Sequence, residues 1–412
     1  MTTRSFPPGF LWGTAAAAHQ VEGGNHGNDW WDWEQQGGIL TGDSSDPACD
    51  HYHRFRQDIQ LLRQMHTNAH RLSLEWSRIE PLEGQFDGGE LAHYREVLTE
   101  LREQGVTPMV TLHHFTSPTW FTRRGGWAAS GAPAAFSNFV RRVAMVVGDL
   151  PGFWVTLNEP NIYALQGWIL GEFPPGRRGD LRGAHRVLAN MYRAHLLAYQ
   201  DLRRLTPRVP VGIAHHKLLF LPAQPRLRDR AAAGLAQALM DRWPTTRGRL
   251  QKVVAAPADF LGLNHYTAQT VAFDALHPGR QFMRRSNPPE RPTTDFGWAV
   301  DANWMRRCLL ELIPRGLPVY VTENGIATSD DDMRQRFLLD VLDQVWEAIE
   351  AHADVRGYFH WSSMDNFEWA RGYSMRFGLV AVDRQTQERT VKSSGHLYGR
   401  ICRDNQLPLD GL

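Results

Sequence analysis

Eight short runs of β-branched, aromatic and other apolar residues alternate in this chain with longer stretches whose apolar residues recur at helical spacing. The runs fall at 10–17, 69–76, 107–114, 153–159, 209–216, 259–266, 318–323 and 355–361. Helical patterns occupy 51–66, 90–104, 133–147, 183–204, 231–242, 300–313, 333–352 and 391–402. Parallel strands need long crossovers, and an amphipathic helix supplies one while covering the sheet. The repeated order therefore predicts an α/β fold, a (β/α)8 TIM barrel, as a single domain over 1–412. A length of 412 residues also suits two domains, but no linker, internal repeat or low-complexity segment divides the chain. A doubly wound open sheet is the alternative, and no glycine-rich dinucleotide fingerprint follows the first run. Residues 23–50 and 274–297, rich in turn formers, read as long loops.

The seventh run, Pro318-Val319-Tyr320-Val321-Thr322-Glu323-Asn324-Gly325, places a carboxylate where a buried strand meets its loop. That position is costly without partners. In a barrel it is also the rim where chemistry is done. The fourth run, Phe153 to Leu157, ends the same way in Asn158-Glu159-Pro160. Either glutamate alone reads equally as a helix cap or a turn acid. The wider pattern separates these readings. Gln20, Arg71, His114, Asn158, Glu159, Asn264, Tyr266, Glu323 and Trp361 all sit at or near predicted C-terminal strand ends. Polar residues with purely structural roles would not sort this way.

Composition narrows the function. A net charge of +1 provides no field favouring nucleic acid or a membrane surface. Fifteen Trp and ten Tyr provide flat amphipathic rings suited to sugars as well as to a core. Cys49, Cys308 and Cys402 form neither a disulfide framework nor a zinc pattern, so reduced thiols in a cytoplasmic protein are expected. Residues 10–18 superficially resemble a signal-peptide core. The preceding prolines, the single Arg4 and the polar His19, Gln20 and Glu22 argue against it. No apolar run is long enough to span a bilayer. His113-His114 and His215-His216 lack a third group at ligand spacing, so no metal is expected. Ser362-Ser363 has no nucleophile-elbow pattern.

The chain resembles family 1 of the glycoside hydrolases, the β-glucosidase and β-galactosidase family. The likeness runs from Phe6-Pro7-Pro8-Gly9-Phe10-Leu11-Trp12-Gly13 to about Tyr398. Its strongest pieces are Thr156-Leu157-Asn158-Glu159-Pro160, Val321-Thr322-Glu323-Asn324-Gly325, and Asp365-Asn366-Phe367-Glu368-Trp369 followed by Gly372-Tyr373-Ser374. The resemblance implies Glu159 as general acid/base and Glu323 as nucleophile of a retaining β-glycosidase. Such an enzyme needs two carboxyls about 5 Å apart, one protonated and one bare. Arg71 and Tyr266, supported by Asn264, are expected to keep Glu323 charged, whereas a drier aromatic setting is expected to raise Glu159. Gln20, His114, Asn158, Trp361, Glu368 and Trp369 follow as sugar-holding residues.

Partners implied are small-molecule β-glycosides or short oligosaccharides, with no cofactor and no set oligomeric state. The Glu368-Trp369 pair speaks against 6-phosphorylated sugars, because a carboxylate repels a phosphate. The chain departs from the family at Phe115-Thr116-Ser117-Pro118, where Trp-Asp-Leu-Pro is usual, and at Asn264-His265-Tyr266, where Asn-Tyr-Tyr is usual. These changes point to an altered leaving-group side, and Trp298 is the expected aromatic platform there. The competing readings are a sugar-binding protein without turnover and a 6-phospho-β-glycosidase.

Overall fold

The alternating periodicities resolve into a closed barrel. The computed structural model describes residues 4–242, 257–277 and 282–408. Eight parallel strands follow one another around it: β1 (Leu11–Ala15), β2 (Ala69–Ser73), β3 (Thr107–Thr111), β4 (Phe153–Asn158), β5 (Val211–His216), β6 (Phe260–Asn264), β7 (Val319–Asn324) and β8 (Val355–Trp361), with β8 paired back to β1. The covering helices are α1 (His51–Gln64), α2 (Gly88–Glu103), α3 (Ala132–Val147), α4 (Leu181–Leu205), α5 (Leu227–Arg242), α6 (Asn303–Leu310), α7 (Asp331–Glu350) and α8 (Ser393–Asp404).

The strands are buried on both faces, as parallel strands must be. All six residues of β7 are buried, and so are all five of β2, including Arg71. Helix starts are chemically marked. Asp87, Asp180 and Asp330 accept backbone N–H bonds at the first turns of α2, α4 and α7. Phe153, Phe260 and Tyr320, at or next to the N-terminal ends of β4, β6 and β7, pack together with ring centroids 5.0–5.7 Å apart. This aromatic cluster plugs the N-terminal end of the barrel, leaving the polar residues to the other end.

Strand register slips at two informative places. The β4–β5 pairing shifts between Val155 and Asn158, and β7 shifts against both neighbours between Val321 and Glu323–Asn324. Such irregularities re-aim the residues that follow them, and here those residues are Asn158, Glu159 and Glu323. Gly325 lets the chain leave β7 close to β8, since an added Cβ would lie 2.0 Å from the Trp361 carbonyl oxygen.

Three expectations are corrected. Residues 23–50 are not all loop: Asp29–Gln35 is a helix, and Asn28 Oδ1 accepts the Trp31 N–H at 2.9 Å. Local turn formers masked this short apolar-faced helix. Within 274–297, Met283–Ser286 forms a strand antiparallel to Ala268–Phe273, which runs parallel to Leu219–Pro222 in a three-stranded sheet outside the barrel. The rest of that expected loop includes residues 278–281, which lie outside the described residues. The helix expected over 300–313 covers only Asn303–Leu310 and passes into a tight turn at Ile313–Arg315, because Pro314 cannot continue it. Among the described residues no helix is long and apolar enough to cross a membrane.

Candidate active site

One arginine organises the polar end of the barrel. Arg71 on β2 is buried and has no acceptor function, so each of its bonds fixes a neighbour's orientation. It donates to Glu323 Oε1 at 2.5 Å, to Asn158 Oδ1 at 2.7 Å and to Thr111 Oγ1 at 3.1 Å. Asn158 Oδ1 is therefore the oxygen, and the Asn158 amide nitrogen faces His114 Nε2 at 3.1 Å. The same logic passes to Asn264. Its Nδ2 donates to Asn158 Oδ1 at 3.1 Å and to Glu159 Oε1 at 2.7 Å, while its Oδ1 accepts from Thr322 at 2.6 Å. Tyr266 donates to the second oxygen of Glu323 at 2.8 Å. Residues from β2, β4, β6 and β7 thus form one hydrogen-bonded network that includes both glutamates.

Glu159 itself is strained. Its φ is +44°, in the left-handed region that residues with a Cβ seldom enter. The helix Pro160–Ala164 begins directly after it, so the turn from strand to helix sets the direction of the carboxyl. Strain at a buried carboxyl inside a polar network motivates a functional reading.

The aromatic wall lies beside this network. His114 stacks on Trp361 and Trp369, with centroids 5.7 and 6.0 Å apart. Gln20 reaches the same wall, donating through Nε2 to the Phe367 carbonyl at 2.8 Å and to Glu368 Oε2 at 3.2 Å. Burial holds the His114 imidazole well below its ordinary value, and the nearby Arg71 cation adds to this. His114 is therefore neutral. Since its Nε2 accepts from Asn158, its proton is on Nδ1. That Nδ1 and Gln20 Oε1 are both buried and have no partner within the protein. One donor and one acceptor are thus left for a polar ligand.

The charge states differ in part from the sequence expectation. Burial pushes Glu323 up, the Arg71 guanidinium pulls it down, the Glu159 carboxylate pushes it up again, and the outcome is about 7. Arg71 and Tyr266 therefore do not hold Glu323 bare across the whole pH range. The Arg71 and Tyr266 hydrogen bonds both favour the charged form of Glu323 against this burial.

Burial, reinforced by Glu323, lifts Glu368 to about 8. At neutral pH it is mostly protonated, which weakens the argument that its charge alone repels a phosphate. A carboxyl raised on folding stabilises the fold below its unfolded value of 4.5, and this contribution is lost as pH rises through about 8. Glu368→Gln is expected to flatten the decline in Tm between pH 5 and about 9. Parallel Tm–pH curves for the two proteins would contradict the assignment.

Several other predicted residues fall near the wall or just outside it. Trp298 packs 5.6 Å from Tyr266 and 4.0 Å from Phe296, which puts it beside the Glu323 side of the site. Phe115, with φ of +70°, packs 5.3 Å from Trp369. The departure at Phe115 therefore bears on the sugar wall and not only on the leaving-group side. His265 turns away from Glu323, with its Nδ1 2.7 Å from the Lys217 carbonyl. Trp30 is fully buried 4.7 Å from Trp369, so it is packing. His215 and His216 are neighbours at the end of β5. The alternation of β5 separates them: His215 stacks on Tyr192 of α4, whereas His216 Nδ1 is 3.1 Å from Glu159 Oε1. No motif marked His216, because its neighbour comes from the adjacent strand. Among the described residues no group of three or more His, Cys, Asp or Glu side chains is arranged for a metal.

Fold and site together define a (β/α)8-barrel protein with paired carboxyls at the C-terminal rim of its strands. The sequence model of glycosyl hydrolase family 1 matches residues 2–250 and 242–407, and the chain belongs to that family. It is 33% identical to Beta-glucosidase A of Thermotoga maritima, over 99% of this chain and all of that protein. It is 31% identical to Beta-glucosidase A of Acetivibrio thermocellus, covering 98% and 100% of the two chains. Among solved structures, a beta-glycosidase from Pyrococcus horikoshii matches with a TM-score of 0.92 and 37% identity, covering 99% of this chain and 97% of that one. The family 1 β-glucosidase of Thermotoga maritima in complex with isofagomine lactam matches with a TM-score of 0.93 and 32% identity, covering 98% and 100%.

Proposed function

We propose that this protein is a retaining β-glucosidase acting on terminal, non-reducing, unphosphorylated β-glycosides. The observation that carries the reading is the network joining Glu159 and Glu323 through Arg71, Asn158 and Asn264. Family membership and relatives called Beta-glucosidase A support it.

Glu323 attacks the anomeric carbon while Glu159 protonates the departing oxygen. This splits one hard displacement into two easier ones through a glycosyl-enzyme. The Arg71 and Tyr266 donors favour the bare form of Glu323 in the free enzyme. Once Glu323 is esterified, its charge no longer opposes ionisation of Glu159. Glu159 then takes a proton from water, and the sugar leaves with its configuration retained. His114, Gln20, Asn158 and Glu368 supply donors and acceptors to the sugar hydroxyls. Trp361 and Trp369 supply an apolar face, and Trp298 serves the leaving-group side. The whole chain is read as one domain. Its three cysteines are all buried, which fits cytoplasmic residence.

The test is release of 4-nitrophenol from gluco-, galacto- and fuco-configured aryl β-glycosides by the purified protein. The gluco substrate is expected to turn over, with galacto and fuco activity alongside. Release from none of them would favour a sugar-binding protein without turnover. Release from a 6-phosphoglucoside alone would favour a 6-phospho-β-glycosidase.

A further inference from the structure

Two donors converge on one oxygen of Glu159. Asn264 Nδ2 lies 2.7 Å from Oε1 and His216 Nδ1 lies 3.1 Å from the same atom. The Asn264 orientation is fixed independently, because Arg71 makes Asn158 Oδ1 an acceptor and Asn264 must donate to it. Oε1 therefore accepts from Asn264, and His216, raised by the Glu159 carboxylate beside it, faces the same oxygen with an N–H. A carboxylic acid whose one oxygen accepts two hydrogen bonds holds its own proton on the other.

We infer that His216 is a positioning residue for Glu159: by donating to Oε1 it stops the carboxyl rotating and commits the transferable proton to Oε2. The inference rests on the reading of Glu159 as the general acid. In the glycosylation step the proton leaves Oε2 for the glycosidic oxygen. That oxygen keeps the electron pair of its broken bond to the anomeric carbon, and a Glu323 oxygen forms the new bond. His216 neither gains nor loses a proton.

Its surroundings suit this work. The imidazole is stacked on Tyr266, with centroids 6.0 Å apart and planes at 17°, which fixes the ring plane. The titratable groups around it are Glu159 from the end of β4, Glu323 from β7, Tyr266 and His265 from the segment after β6, and Lys217 beside it in the chain. Burial pulls His216 down, but the Glu159 and Glu323 carboxylates outweigh it and raise it above its ordinary value. The shift favours the form of the ring that carries a hydrogen on Nδ1.

Side-chain replacement separates this role from mere packing. In Asn the amide nitrogen overlies the Nδ1 position, so His216→Asn keeps the donor. Phe keeps the ring stacked on Tyr266 but has no donor. The measurement is kcat/KM for phenyl and 2,4-dinitrophenyl β-glucosides across pH. His216→Phe is expected to lose about ten- to a hundredfold on the phenyl substrate, which needs acid assistance, and less than about threefold on the dinitrophenyl one. Its basic limb should move to higher pH, since a carboxylate without its donor holds a proton more tightly. His216→Asn should restore both the ratio and the limb. Should the Phe variant fail to fold, His216→Gln, whose amide lies one bond too far out, is expected to show the same split. An equal loss on both substrates, an unmoved basic limb or no recovery in the Asn variant would overturn the inference while leaving the β-glucosidase reading intact. No turnover of either substrate by the unmodified protein would remove both.

Discussion

Glu323→Gly is expected to lower hydrolysis of aryl β-glucosides by on the order of 10⁴-fold or more, and added azide is expected to restore part of the turnover. The size of the loss follows from what the side chain does. Without it no carboxylate reaches the anomeric carbon, and the double displacement cannot begin. Arg71 loses its ion-pair partner but keeps its bonds to Asn158, Thr111 and the Thr322 carbonyl. The buried cation is thus still hydrogen-bonded, and the fold should survive at a stability cost of about 3–5 kcal/mol. A small anion can enter the space vacated, next to that cation, and attack from the side Glu323 occupied. The product should be the α-glucosyl azide, with configuration inverted relative to the substrate. The proton coupling at the anomeric carbon, read by NMR, decides the outcome. A β-azide, or hydrolysis undiminished in the variant, would assign the nucleophile elsewhere.

Glu159→Ala should show the opposite stereochemistry and a different substrate dependence. Loss of the proton donor matters in proportion to how poorly the aglycon leaves. The value of kcat/KM is expected to fall about 10²- to 10⁴-fold for phenyl β-glucoside but less than about tenfold for the 2,4-dinitrophenyl analogue. The glycosyl-enzyme then waits for a base that is missing. Azide needs no base, so it should intercept the intermediate and yield the β-azide, with configuration retained. The two variants together separate the roles, because each predicts the anomer the other excludes. Equal losses on good and poor leaving groups would remove Glu159 from the acid role.

Much of this protein was legible along the chain, for a local reason. Apolar spacing is set by the period of the element a segment forms. Val319-Tyr320-Val321 therefore announced a strand buried on both faces, and the 333–352 pattern announced α7. A carboxylate directly after such a strand is unusual wherever it occurs, so Glu159 and Glu323 stood out before any contact was known. The three-stranded sheet was missed because Met283–Ser286, with two arginines and a serine, carries no apolar alternation. It becomes a strand only by pairing with Ala268–Phe273.

Sequence by itself determined the count and order of the barrel strands and marked the two glutamates at strand ends, because each depends on residue type and spacing within one segment. Tertiary structure alone decided how charge is divided in the site and which neighbour each carboxyl has. Glu323 rises to about 7 despite Arg71, and His216 meets Glu159 where His215 does not. Burial depth and cross-strand register arise only when distant segments close into a barrel, and no window along the chain contains them.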